Sequence, residues 1–287
     1  MEATILSTTQ RPAEYSGGME LLRVDSRHQS LFQQLGWHSC AHFLARFGVA
    51  NSACGRGVLV KAGSLPHPGA APLPVFFKVY RFDRPSWRFW LRASKARREF
   101  DNYAIFEQLG IRCAQRVACG EMRDRLGRLR VAFILTVAIP AAVTLEVHVR
   151  QLRGSPPDTS RTERDALRRQ LADMTRRIHD AGFFHNDLYW RNVLVTHAPD
   201  SSPTLWWIDC PRGRRPGWLA GRRRRRIKDL AALDVSAAEL CSRTERLRFL
   251  EEYLSLDKLD AYVRQLAHEI LEYRRRRWPA SRKATAR

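Results

Sequence analysis

Acid is what this sequence is short of. Asp and Glu number 29 against 50 Lys and Arg, leaving a formal net charge of +21. A balance that basic favours polyanionic surroundings, such as nucleic acid, anionic lipid head groups or phosphorylated sugars, without choosing among them. Cysteine is scarce as well. Cys40, Cys54, Cys113, Cys119, Cys210 and Cys241 form no Cys-x-x-Cys pair and show no zinc spacing. They read as reduced, mostly buried thiols of a cytosolic protein. Long apolar runs are missing too: the longest, Val131–Leu145, has 15 residues and contains Pro140. That is too short to span a bilayer. Met1 to Gly18 holds no apolar signal core. The expectation is a protein that is soluble or held on a membrane surface. There is no internal repeat.

What is present reads as strands plus one helix, then a mainly helical half. Residues 1–18 look like a flexible tail. From Leu21 to Val79 the pattern is strand-rich and broken by Gly and Pro; Val58–Val60 and Val75–Tyr80 are the clearest strands, with a turn region from Ala62 to Pro74. A helix is predicted over 94–109, stopped by Gly110, and strands over 116–121 and 129–137. Gln151–Asp158 reads as a loop. Ser160 and Glu163 read as a capping box for a helix carrying Leu167, Leu171, Met174 and Ile178 and closed by Gly182. Val193–Val195 and Leu205–Ile208 form a predicted hairpin, and the chain from Lys228 is helical and very basic.

The chemistry is concentrated in the run from Phe184 to Val195, F-H-N-D-L-Y-W-R-N-V-L-V, and in Trp207-Ile208-Asp209. Asp187 and Asn192 stand five residues apart before an apolar run, and Asp209 ends another 22 residues after Asp187. Kinase-type phosphoryl transfer needs this set: a carboxylate at the acceptor hydroxyl, an amide on one Mg²⁺, and a second carboxylate joining the metal ions to ATP. Alone, each would read as a turn residue; the joint spacing favours catalysis. Lys78, within an apolar strand, is costly to bury unpaired, and Glu99 on the next helix is its natural partner. Gly55 and Gly57 come nearest to a phosphate loop, although G-x-G-x-x-G is incomplete. Val137, within Thr136–Ala138, falls where backbone groups would contact adenine. His185 reads as a structural hydrogen-bonder, and Asp229 as an acceptor for the catalytic loop. Arg222–Arg226, joined by Arg212, Arg214 and Arg215, reads as a contact for an anionic acceptor or a membrane surface, and Arg274–Arg277 before Trp278 as a membrane-surface or nucleic-acid contact or a solvated helix end.

These motifs together resemble the lipopolysaccharide kinase (Kdo/WaaP) family of Gram-negative bacteria. The resemblance rests on Phe77-Lys78-Val79-Tyr80, Arg98-Glu99-Phe100 with Leu109-Gly110-Ile111, His185 to Asn192, Trp207-Ile208-Asp209 and Lys228-Asp229-Leu230, in order over about 155 residues. The chain departs from protein kinases in carrying Cys210-Pro211-Arg212-Gly213 after Asp209, Tyr189 where Ser/Thr kinases have Lys, and no Ala-Pro-Glu downstream. The resemblance implies an α+β, two-lobed protein-kinase-like fold, with a small β-rich N-lobe over 19–137 and a larger helical C-lobe over 138–287. It implies ATP and Mg²⁺, with Lys78, Glu99 and Asp187 catalytic and Asn192 and Asp209 on the metal. The implied acceptor is a Kdo or heptose hydroxyl of the lipopolysaccharide core, or another anionic glycolipid. The implied location is cytoplasmic, peripheral on the cytoplasmic face of the inner membrane. The rivals are a kinase of another acceptor, protein or small molecule, and a non-catalytic kinase-like protein that binds anionic lipid or nucleic acid. Nucleic acid is disfavoured, because aromatics are not interleaved with the basic runs.

Overall fold

The computed structural model describes residues 4–6, 18–48, 57–86, 89–90, 92–154, 156–197, 202–217, 219–256 and 260–279. The chain divides into two compact units, Met1–Ile105 with Ala114–Ile139, and Phe106–Cys113 with Pro140–Arg287.

The first unit is built on six antiparallel strands: β1 (Thr4–Leu6), β2 (Met19–Val24), β3 (Gly57–Leu65), β4 (Leu73–Ser86), β5 (Arg116–Arg123) and β6 (Leu129–Val137), in the order β1-β2-β5-β6-β4-β3. β6 lies between β5 and β4, and its sequence LRVAFILTV is a nearly continuous apolar run, as a strand covered on both sides requires. Thr4–Leu6, inside the segment expected to be a tail, pairs with β2. The strand-rich reading of Leu21–Val79 needs correction. Two helices, α1 (Gln29–Gln34) and α2 (Cys40–Arg46), interrupt it. At six and seven residues they are too short to show a periodicity or to be stable alone. Tertiary burial holds them: Phe32 and Phe43 join Phe47, Phe77 and Phe133 in one core, and the Phe47 and Phe77 rings stack at 4.4 Å. The helix α3 (Lys95–Gln108) falls where periodicity placed it.

The second unit has a three-stranded sheet of β7 (Val143–Thr144), β8 (Val193–Thr196) and β9 (Thr204–Trp207), so β7 extends the predicted hairpin. Around it lie α4 (Leu145–Gln151), α5 (Pro157–Asp180), α6 (Leu219–Leu240), α7 (Arg243–Leu254) and α8 (Ala261–Arg277). Leu167, Leu171, Met174 and Ile178 are all buried along α5. The expected capping box is absent. α5 starts at Pro157, and Ser160 already donates its N–H to the Pro156 carbonyl. Proline suits that first position because its missing N–H would have had no partner there. Gly182 ends the helix with φ +69°, and Phe183 N–H reaches back to the Ile178 carbonyl at 2.8 Å. The helices are joined by charge: Arg168 pairs with Glu252, Arg164 with Glu245, and both Arg246 and Arg274 with Asp234. Between them lies a largely apolar cavity of about 510 Å³, with Leu145, Leu167, Leu171, Leu233 and Ile270 in its wall. Among the described residues no helix is long and apolar enough to cross a membrane. Cys40, Cys113, Cys119 and Cys210 are buried and Cys241 is half-buried; Cys54 lies outside the described residues.

Candidate functional site

In the first unit, Lys78 sits mid-strand in β4, opposite Val60 on one side and Ile134 on the other. Its Nζ lies 3.1 Å from the Glu99 carboxylate. Glu99, on the second turn of α3 and only 3% exposed, also accepts from Tyr103 Oη at 3.1 Å and Tyr80 Oη at 3.3 Å. A carboxylate this buried is tolerable only with such partners, and they fix its position. The strand–helix placement thus converts two residues 21 apart in sequence into one ion pair.

Other expectations for this unit fare differently. Gly55 lies outside the described residues. Gly57 is the first residue of β3, opposite Arg81; the rest of the expected loop, 51–56, lies outside the described residues. Val137 ends β6, but its N–H is taken by the Gln115 carbonyl and that of Ala138 by the Pro74 carbonyl. Neither N–H is open to a nucleotide base.

In the second unit the loop after Gly182 is fixed by one buried carboxylate. Asp229, in the middle of α6, has no exposed surface and accepts the backbone N–H of His185 at 2.8 Å and of Asn186 at 2.7 Å. Asn186 takes a left-handed backbone (φ +64°), which asparagine tolerates better than most residues. Its side chain then donates to the Phe184 and Arg212 carbonyls and accepts from Arg225. The His185 ring is not the hydrogen-bonding element expected. Its backbone N–H does that work, while the ring packs between Phe106 and Trp207. Burial holds its pKa below the ordinary value, against the pull of Asp229, Asp187 and Asp209.

Past that anchor, Asp187, Asn192 and Asp209 are brought together by two hydrogen bonds. Asn192 Nδ2 donates to the Asp187 carbonyl at 2.8 Å, and the Ile208 N–H donates to the Asn192 carbonyl at 3.0 Å. The second bond sets Asp209 beside the loop that carries Asp187 and Asn192, with a left-handed backbone (φ +56°). Such conformations cost energy and concentrate at functional sites. With its Nδ2 committed, Asn192 keeps its amide oxygen as a possible ligand atom. Asparagine oxygen plus carboxylate is a donor set that suits Mg²⁺.

Positive groups crowd the Asp187 carboxylate. Arg212 Nη1 lies 3.8 Å from Asp187 Oδ1. Lys228 is half-buried, and burial lowers its pKa despite the opposing pull of Asp229 and Asp187. Sequence reading grouped Arg212 with the arginine run as an acceptor or membrane contact; it gave Lys228 no role of its own, although the Lys228-Asp229-Leu230 motif was a signal. Tyr189 meets Trp278, from the end of α8, edge-on with ring centroids 5.9 Å apart, a contact no local pattern announces.

The arginine run 222–226 is not a uniform anion-binding face. Arg223 pairs with Glu269, Arg225 donates to Asn186, and Arg226 lies over the Tyr253 ring. In the second run, Arg274 pairs with Asp234 and Arg276 with Glu272.

The model of the lipopolysaccharide kinase (Kdo/WaaP) family matches residues 78–253, more than half of the chain. A solved structure described as WaaP in complex with acyl carrier protein is similar to this chain at TM-score 0.63 and 26% identity, covering 89% of this chain and 97% of that one. The PknI kinase domain of Mycobacterium tuberculosis matches at TM-score 0.38 and 18% identity, covering 73% of this chain and 70% of that one. No curated protein matches.

Two expected outcomes follow from this geometry. Asp229→Ala strands two buried N–H groups at ~1–3 kcal/mol each. It should therefore lower unfolding free energy by ~2–6 kcal/mol in urea denaturation; an unchanged midpoint would show that the loop is held by something else. The second concerns pH. His185 resists protonation in the folded chain, whereas the unfolded chain protonates near pH ~6.5. Its share of stability is full above that value and is lost as pH falls below it. Thermal melts from pH 8 to 5 should decline less steeply for His185→Phe than for wild type. Parallel curves would mean the ring binds its proton equally in both states.

Proposed function

Since this chain belongs to the lipopolysaccharide kinase (Kdo/WaaP) family, and its fold is protein-kinase-like, we propose that it transfers the γ-phosphate of ATP to a sugar hydroxyl, Kdo or heptose, of the lipopolysaccharide inner core. The observation that carries this reading is the pair of hydrogen bonds linking Asp187, Asn192 and Ile208-Asp209 into one cluster. In that reading Asp187 receives or orients the acceptor proton, and Arg212, 3.8 Å from the same carboxylate, lies where it can meet an anionic acceptor. Asn192 and Asp209 would hold Mg²⁺, which neutralises charge on the transferring phosphoryl group. Lys78, fixed by Glu99, supplies a positive charge to ATP phosphates.

A sugar acceptor is favoured over a protein by the segment after Asp209. It reaches α6 within ten residues, at Leu219, and is pinned on the way by reciprocal backbone hydrogen bonds between Phe184 and Arg214, both 3.0 Å. A peptide-docking platform of the protein-kinase kind has no length to form. The net charge of +21 suits an acceptor bearing carboxylates and phosphates. It also suits peripheral attachment to the cytoplasmic face of the inner membrane, at about 1 kcal/mol per near-surface cation.

Purified protein with labelled ATP and Mg²⁺ should phosphorylate lipopolysaccharide core from a strain lacking it. Asp187→Ala should reduce that rate by ~10²–10⁴-fold and leave ATP binding intact. ATP binding without transfer would redirect the search to other acceptors; no ATP binding would favour a non-catalytic protein. The WaaP structure holds an acyl carrier protein, and we infer that such a protein also binds this chain. An acyl chain matches the apolar cavity beside Leu233 and Ile270. Leu233→Arg should weaken binding of the acylated carrier, measured by calorimetry, and equal affinity would remove the cavity from that role.

A further inference from the structure

Three residues the kinase reading leaves unused converge in the second unit. His148 comes from α4, Glu163 from α5, and His197 follows directly on β8. His148 Nε2 lies 2.8 Å from Glu163 Oε1, and His197 Nε2 lies 3.2 Å from the same oxygen. The two imidazole centroids are 4.9 Å apart. All three ligand atoms lie within 4.8 Å of one another, and among the described residues they form the one such group of His, Cys, Asp and Glu.

We propose that His148, Glu163 and His197 bind a Zn²⁺-class divalent ion. Tetrahedral zinc, with bonds of about 2.0–2.2 Å, sets its ligand atoms about 3.4 Å apart. The two imidazole–carboxylate separations, 2.8 and 3.2 Å, fall just short of that edge, and all three atoms lie within 4.8 Å of one another, so small side-chain shifts complete the site. Two imidazoles and a carboxylate form a donor set that suits zinc and related transition metals better than Mg²⁺ or Ca²⁺. His148 is buried and Glu163 nearly so, whereas the His197 side chain is 45% exposed. A fourth ligand position can therefore take water. Without metal, both rings converge on a single carboxylate oxygen, an arrangement that hydrogen bonding alone does not require.

The ion would tie together elements that are remote in sequence. Its ligands are separated by 15 residues between α4 and α5 and by a further 34 to the end of β8. The site differs from the Mg²⁺ reading in ligands and in chemistry, and its test needs no acceptor.

The test uses tag-free full-length protein, stripped with chelator and dialysed against ZnCl₂. Zinc is measured by mass spectrometry of the protein fraction, and affinity by competition with a chromophoric chelator. The expected result is one bound equivalent, a Tm that rises with zinc, and affinity weakened more than ~100-fold in His197→Asn and in Glu163→Gln, since even supporting partners of zinc ligands are worth 10–100-fold. His197 is exposed enough that its replacement leaves folding intact, so loss of zinc there reports the site. Absence of stoichiometric zinc from wild type overturns the proposal. So does zinc retained by both variants, which would place it on the thiols.

Discussion

One buried carboxylate organises the candidate site. Asp229 lies without exposed surface in the middle of α6 and accepts two consecutive backbone N–H groups, those of His185 and Asn186. Those donors have no strand or helix to satisfy them, and leaving them unpaired inside the protein would be expensive. Their capture fixes where the loop turns, which in turn lets Asn186 adopt its left-handed backbone and bond to the Phe184 and Arg212 carbonyls. Asp187 follows immediately. The aromatic packing of Phe106, His185 and Trp207 closes the other side, and Trp207 leads directly into Ile208 and Asp209. A helix residue more than forty positions away thus sets the direction of the loop that carries the proposed catalytic base.

Charge is used in two distinct ways. Exposed pairs such as Arg276 with Glu272 contribute little, because water and salt screen them. Partly buried arginines do more: Arg168 bridges α5 to α7, and Arg274 bridges α8 to α6 through Asp234. In the first unit, Glu99 gathers Lys78, Tyr80 and Tyr103 around one carboxylate. Such a group holds its geometry because removing any partner leaves a buried charge poorly satisfied. The basic surplus is therefore less available to outside anions than composition suggests, since several members of each arginine run already have internal partners.

Much of this was legible in the chain. The strand patterns of β4, β5 and β6, the long apolar stripe of α5 and the Gly182 stop are local signals, and local sterics with burial periodicity produce them. The site's ingredients were legible too, because phosphoryl transfer constrains residue type and spacing around Asp187, Asn192 and Asp209. The short helices α1 and α2 were not. Six or seven residues carry no period, and only packing of Phe32 and Phe43 onto Phe77 and Phe133 makes them helical. The start of α5 was misplaced for a related reason. Ser160 and Glu163 have capping-box spacing, but Pro157 begins the helix earlier and leaves Glu163 facing two histidines.

The sequence by itself determined the class of fold, the family and the spacing of the candidate residues Lys78, Glu99, Asp187, Asn192, Asp209 and Asp229, because those depend on composition, period and spacing along one chain. Tertiary structure alone decided which of them meet. It paired Lys78 with Glu99, gave Asp229 the loop amides, brought Arg212 to Asp187, set Trp278 against Tyr189 and turned His148 and His197 onto one carboxylate. Each of these contacts joins elements that only burial of separate apolar faces brings into reach, and no local pattern encodes that distance.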